Sequence, residues 1–207
     1  MELLIDTADA IALERAAQSG LFVGITTNPL LIQRIGSTCD IRTYQRMHEQ
    51  ATALGFEQIQ FQVFGANWLD SAQEILDISG RTLVKIPATE EGFRTIKQLG
   101  VPDRTTLTAV YSVRQAAFAE AAGLKYAAPY YARLNESARD SEKLFEGLRM
   151  VCKRTRLLTA SLRSVAQVEH LMGLGHTCFT LPAALLDDLL QDEMTKQAVI
   201  DFRQAEG

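Results

Sequence analysis

Several kinds of chemistry lack their usual residues in this chain. There are only three histidines, His48, His170 and His176, and none has the spacing of a transition-metal site. The three cysteines, Cys39, Cys152 and Cys178, are far apart and odd in number, with no CxxC pair. Neither a disulfide framework nor a zinc finger is therefore expected. No GxGxxG or GxxxxGK[ST] follows any strand-like run, so the usual dinucleotide and nucleoside-triphosphate fingerprints are missing. No window approaches the ~18 consecutive apolar residues of a membrane span. The N-terminal stretch MELLIDTADA turns acidic early and does not read as a signal peptide. A basic excess is also missing. Lys and Arg number 21 against 25 Asp and Glu, a net charge of -4, which argues against general nucleic-acid binding. The expectation is a soluble, reduced, cytoplasmic protein with no nucleic-acid or membrane partner.

What the chain has is alternation. Its hydrophobic fraction of 47% can build a sizeable core. Short apolar runs are predicted as strands at about 2–6, 22–27, 59–64, 82–87, 105–109, 126–130, 156–161 and 177–181. Helical patterns fill about 8–19, 40–54, 67–79, 90–99, 112–122, 140–153, 164–173 and 183–204. Gly20 and Gly123 read as helix stops. Thr89 ahead of Glu90 and Glu91 reads as a helix start, as does TADA. No linker, low-complexity stretch or charge run divides residues 1–207. Eight strand–helix units in one domain predict a single (β/α)₈ TIM barrel of the α/β class. The open doubly wound sheet is disfavoured by the missing glycine fingerprints.

Side-chain parity sharpens this. Successive strand residues face opposite sides, and in a barrel one side meets the helices while the other fills the interior. Leu3, Ile5, Val23, Ile25, Ile59, Phe61, Val63, Val84 and Ile86 form the helix-facing set. Asp6, Thr26, Gln60, Gln62, Lys85, Thr106, Thr108, Tyr126, Tyr130, Thr159 and Ser161 would point inward. The inner polar positions cluster toward the strands' C-terminal ends, where barrel active sites lie. Lys85, in LVKIP, is the one that asks for an explanation. It could be a strand-end lysine snorkelling to water. It could equally be a buried amine whose ammonium form is disfavoured, which makes it a nucleophile toward carbonyls.

Six stretches decide between these in chain order: GITTNPLLI (24–32), LVKIPAT (83–89), LTAVYS (107–112), APYYAR (128–133), TASLR (159–163) and TLP (180–182). Together with Asp6 they resemble the small transaldolase / fructose-6-phosphate aldolase family over most of the chain. The resemblance implies a class I aldolase barrel with Lys85 as the Schiff-base nucleophile. It implies Asp6 as a proton-handling or Lys85-pairing acid, Thr26 and Asn28 as holders of substrate hydroxyls, and Arg133, Ser161 and Arg163 as a phosphate site. Gln62, Thr108 and Tyr130 would hold the water that moves protons during carbon–carbon cleavage. Gln62 and Tyr130 match the aldolase type, since the transaldolase type carries Glu and Phe there. Arg163 matches the classical transaldolases. The iminium is itself the electron sink, so no metal or organic cofactor is expected.

The implied activity is cleavage or formation of fructose 6-phosphate from dihydroxyacetone and glyceraldehyde 3-phosphate. The alternatives are transaldolase transfer from sedoheptulose 7-phosphate and a non-catalytic sugar-phosphate-binding barrel. A structural scaffold would instead place apolar residues at Gln62, Lys85 and Thr108. The family resemblance further implies a homo-oligomer, a pentamer or decamer. The chain departs from the family pattern at Leu162, where Phe is familiar, across 42–50, near Glu57, and in a short tail after Pro182. The leucines Leu185, Leu186, Leu189 and Leu190 are read as core. Arg139, Arg149, Arg154 and Arg156 match no site position and read as surface arginines.

Overall fold

The computed structural model describes residues 1–137 and 139–206. Eight parallel strands form one sheet: β1 (Glu2–Asp6), β2 (Gly24–Thr26), β3 (Gln58–Gln62), β4 (Thr82–Pro87), β5 (Thr105–Val110), β6 (Tyr126–Pro129), β7 (Arg156–Leu157) and β8 (Cys178–Pro182). Their order is β7-β6-β5-β4-β3-β2-β1-β8. A parallel bridge between Thr159, just past β7, and Phe179 on β8 brings the two edges together. The result is a (β/α)₈ barrel, as the alternation predicted. The helices are α1 (Ala10–Ser19), α2 (Pro29–Arg34), α3 (Ile41–Ala53), α4 (Trp68–Ile78), α5 (Glu90–Leu99), α6 (Val113–Ala121), α7 (Tyr131–Glu136), α8 (Ser141–Val151), α9 (Val165–Gly173), α10 (Leu186–Leu190) and α11 (Glu193–Ala205). None of the described helices is long and apolar enough to cross a membrane.

Local chemistry sets the boundaries. Asp9, rather than Thr7, caps α1 by accepting from the Ala12 amide, while Thr89 caps α5 by accepting from Gly92. Gly20 closes α1 in the left-handed region, at φ 68°, and Gly123 follows α6 at φ 70°. Two short helices, α2 and α7, escaped the sequence reading. Each follows its strand directly and spans only six residues, too few for a helical period to declare itself. The helix expected over 183–204 is in fact a 3₁₀ turn, α10 and α11, separated by Gln191 and Asp192. Asp192 caps α11 by accepting from Thr195, so the break is a new helix start.

Parity holds on most strands. Ile5, Ile25, Ile59, Phe61, Val63, Val84, Ile86 and Leu107 join the apolar layer between sheet and helices. A second cluster fills the lower barrel: Leu4, Leu83, Tyr126, Ala128, Leu158 and Cys178. Below it the Tyr126 hydroxyl donates to Glu2 at 2.7 Å, Gln58 donates to Glu2 at 3.2 Å, and Arg156 pairs with Glu2. Tyr126 is thus an inward residue of the closed end, not of the mouth. One assignment is corrected. Leu158 and Ala160 line the interior, so Thr159 between them faces the helices. Of the unassigned arginines, Arg154 pairs with Glu120 and Arg139 donates to the Tyr111 carbonyl at 3.2 Å. Arg149 bonds the Leu174 carbonyl.

Gly92 lets α5 start close against the end of β4. A Cβ there would sit 2.0 Å from the Pro87 carbonyl oxygen and 3.2 Å from Ile86. Backbone cannot yield as a flexible side chain can. Gly92→Ala is therefore expected to cost about 1–3 kcal/mol as an overpacking change. In a domain of this size that lowers Tm by roughly 3–10 °C, read by thermal unfolding. An unchanged Tm would refute the close approach.

Candidate active site

The barrel's C-terminal end opens into a cavity of about 530 Å³. Its lining includes Asp6 from β1, Asn28 after β2, Gln62 from β3, Lys85 from β4, Thr108 from β5, Tyr130 and Arg133 after β6, and Ser161 and Arg163 after β7. Nine of the ten residues expected at the site thus share one cavity. The exception is Thr26. It is fully buried; its hydroxyl donates to Asp6 Oδ1 at 2.6 Å and lies 2.6 Å from the Thr180 hydroxyl. It holds the Asp6 carboxylate in place instead of reaching into the cavity.

Lys85 is 3% exposed, and its Nζ donates to the Thr27 carbonyl at 3.1 Å. No carboxylate comes within 4.0 Å of it among the described residues. Burial pushes its pKa below the ordinary lysine range, and the Asp6 charge opposes that shift. The snorkelling alternative is therefore set aside: this amine is not in water. The TTNP segment does three things. Thr26 steadies Asp6, Thr27 orients Lys85, and Asn28 caps α2, accepting from Leu30 and Leu31 at 3.0 and 3.2 Å. Asn28 also lines the cavity, so with Oδ1 engaged it has its amide nitrogen to offer a substrate hydroxyl.

Opposite, the Thr108 and Tyr130 hydroxyls are 3.0 Å apart. Burial raises the Tyr130 phenol; the bond to Thr108 and the Arg133 charge pull it down, and Asp6 pushes it up. The Arg133 guanidinium lies 5.1 Å from the Tyr130 ring centroid, within cation–π range. The Gln62 backbone is fixed from behind: Tyr44 on α3 donates to its main-chain carbonyl at 2.9 Å and stacks on Phe61 at 4.4 Å. Under this layer the Thr106 hydroxyl donates to Gln60 at 2.8 Å.

Two lining residues carry the strand chain past the ordinary pleat. Ala109 has φ 54° and Ser161 has φ 58°, the two positive-φ residues other than glycine among the described residues. Such backbone costs about 1–2 kcal/mol per residue and persists where its surroundings enforce it. At Ser161 it explains a parity surprise. Ala160 and Ser161 both reach the cavity because the chain turns between them. Arg34, at the end of α2, also lines the mouth and was missed. Its signal was available: in TTNP the Asn28 cap and Pro29 at a helix's first position start a turn, PLLIQR, over the strand end.

The model of the family "Transaldolase/Fructose-6-phosphate aldolase" matches residues 3–206. The chain belongs to this family. A "Probable transaldolase" of Clostridium kluyveri is 30% identical over 210 residues, covering 98% of this chain and 95% of that one. One of Nitrosopumilus maritimus is 28% identical, covering 98% and 93%. Among solved structures, a HpcH/HpaI aldolase/citrate lyase family protein from Burkholderia cenocepacia aligns with TM-score 0.66 at 12% identity, covering 98% of this chain and 94% of that one. The 3-hexulose-6-phosphate synthase from Salmonella typhimurium aligns at 0.64 and 13%, covering 89% and 90%. At such identities the structural likeness concerns the fold.

Membership in this transaldolase/aldolase family makes Lys85 the residue to test. An ordinary lysine in the unfolded chain titrates at about 10.4. Because the folded value is lower, the unfolded state holds more protons between the two, and stability rises with pH across that window. Below the window the burial penalty is fully present. Lys85→Met is thus expected to raise Tm at neutral pH, by about 2–4 °C for each kcal/mol recovered. The gain should shrink as the pH approaches that of the free lysine. A lower Tm at neutral pH would overturn the buried-amine assignment.

Proposed function

We propose that this chain is a Schiff-base aldolase acting on fructose 6-phosphate, with dihydroxyacetone and glyceraldehyde 3-phosphate as its other partners in the reaction. The observation that carries this reading is the Tyr130 phenol, 3.0 Å from Thr108, in the same cavity as Lys85 and Gln62. A phenol can give and take a proton where a phenylalanine could do neither.

The neutral Lys85 amine attacks the C2 ketone, and loss of water from the adduct leaves an iminium. The iminium draws electrons from the C3–C4 bond. The C4 hydroxyl gives its proton to a water held by Gln62, Thr108 and Tyr130, the bond breaks, and glyceraldehyde 3-phosphate leaves. The three-carbon enamine on Lys85 is then protonated at carbon, and water hydrolyses the iminium to release dihydroxyacetone and the amine. Asp6, whose Oδ1 accepts from Thr26, exchanges a proton with a substrate hydroxyl. Arg133, Ser161 and Arg163 offer two guanidinium forks and a hydroxyl to the phosphate. The sink for electrons is the iminium on Lys85, so the mechanism calls on no cofactor.

A second reading is favoured by particular observations. The relatives carry the name transaldolase, and Arg163 matches the classical transaldolases. In that reaction the enamine attacks another aldehyde instead of being protonated. Product analysis from fructose 6-phosphate, with and without erythrose 4-phosphate, separates the two. Release of free dihydroxyacetone without acceptor is expected, and Tyr130→Phe should lower it by about 10²-fold. Turnover only with the acceptor, giving sedoheptulose 7-phosphate, would mean transaldolase. Borohydride with substrate should trap a covalent adduct that Lys85→Met abolishes, together with at least about 10⁴-fold of activity. An adduct that persists in that variant would displace Lys85 as the nucleophile.

We further propose that α11 makes the chain a homo-oligomer. Met194 and Phe202 are 83% and 65% exposed, and with Ala198 they stand at four-residue spacing on one side of a helix that has no buried residue. Light scattering should give an oligomer, and Phe202→Glu should shift it toward monomer. A monomeric wild type would overturn this.

A further inference from the structure

The cations around the mouth are not equivalent. Arg34 and Arg133 line the cavity without an ion pair among the described residues. Arg163, by contrast, is already matched: its guanidinium pairs with the Glu136 carboxylate. Glu136 is the last residue of α7 and lies three residues after Arg133, so one helical turn carries both a phosphate-site cation and the anion that occupies the other. Glu136 is not itself part of the cavity lining.

We propose that Glu136 is an internal stand-in for the substrate's phosphate. Its carboxylate holds Arg163 while the site is empty and is exchanged for the phosphate when a sugar phosphate enters. This rests on the aldolase reading above. The pair is 61% and 51% exposed, in the range where an ion pair contributes little and is screened by salt. A phosphate offering several charge-assisted hydrogen bonds displaces such a partner readily. A consequence follows for specificity. A site built to bind an anion normally rejects an analogue without it, because the charged donors are left unmatched. Here an unphosphorylated sugar leaves Arg163 matched by Glu136. The residue therefore narrows the preference for phosphorylated over unphosphorylated ketoses and aldehydes, and Glu136 is a specificity-determining residue that acts through Arg163.

The test compares kcat/KM for fructose 6-phosphate with that for fructose in wild type, Glu136→Gln, Arg163→Gln and the double variant. Glu136→Gln should lower KM for fructose 6-phosphate and raise the phosphorylated-to-unphosphorylated ratio by about two- to fivefold, the size of an exposed pair. The effect should vanish in the Arg163→Gln background. A ratio that does not change overturns the proposal. So does a KM for fructose 6-phosphate that rises as it does in Arg163→Gln, which would mean that Glu136 merely positions the arginine. Absence of turnover and of any borohydride adduct in wild type with either sugar would overturn the aldolase reading itself, and this inference with it.

Discussion

A single amine held away from water sets the terms for the rest of this barrel. Lys85 is buried in the interior with a backbone carbonyl as its hydrogen-bond partner and no carboxylate within ion-pair reach among the described residues. Burial favours the neutral form, which is the form that attacks a carbonyl. Asp6 is near enough to oppose the shift, yet its oxygen is engaged by Thr26. The two groups are thus coupled by charge without forming a salt bridge, which leaves each able to act on a substrate.

The scaffold supports that arrangement at two depths. The lower barrel is sealed by an apolar cluster around Leu4, Leu83 and Leu158, closed underneath by Glu2, Gln58, Tyr126 and Arg156. The upper barrel is polar, and its side chains pair with one another across strands: Thr26 with Thr180, Gln60 with Thr106, Thr108 with Tyr130. Cross-strand pairing of this kind fixes rotamers, so the polar groups of the upper barrel are held in place. The strained backbone at Ala109 and Ser161 lies in the same upper layer and turns the chain toward the cavity at two points.

Much of this could be read from the chain because a barrel strand keeps a period of two and its helices keep their own period. Parity put Asp6, Gln62, Lys85 and Thr108 inside the barrel, and the motif resemblance singled them out there and added Asn28, Arg133 and Arg163. Parity failed where its premise fails. Beyond β7 the pairing reduces to isolated bridges; counting put Thr159 on the wrong face, and Ser161 reaches the cavity as expected only because the chain turns there. Thr26 was rightly placed inside, but whether it meets substrate or braces Asp6 depends on a hydroxyl's direction, which counting does not supply. Arg34 was missed because α2 is too short to announce itself by periodicity.

The sequence by itself determined the eight-fold alternation, the faces of most strands, and the lysine set among apolar neighbours, because each of these is a local periodic property of the chain. Only the tertiary structure decided which polar residues share a cavity, which of them brace others, and that Arg163 is answered by Glu136. Those facts join residues on different strands and helices. Their separations are set by barrel closure and side-chain rotamers, and a linear pattern contains neither.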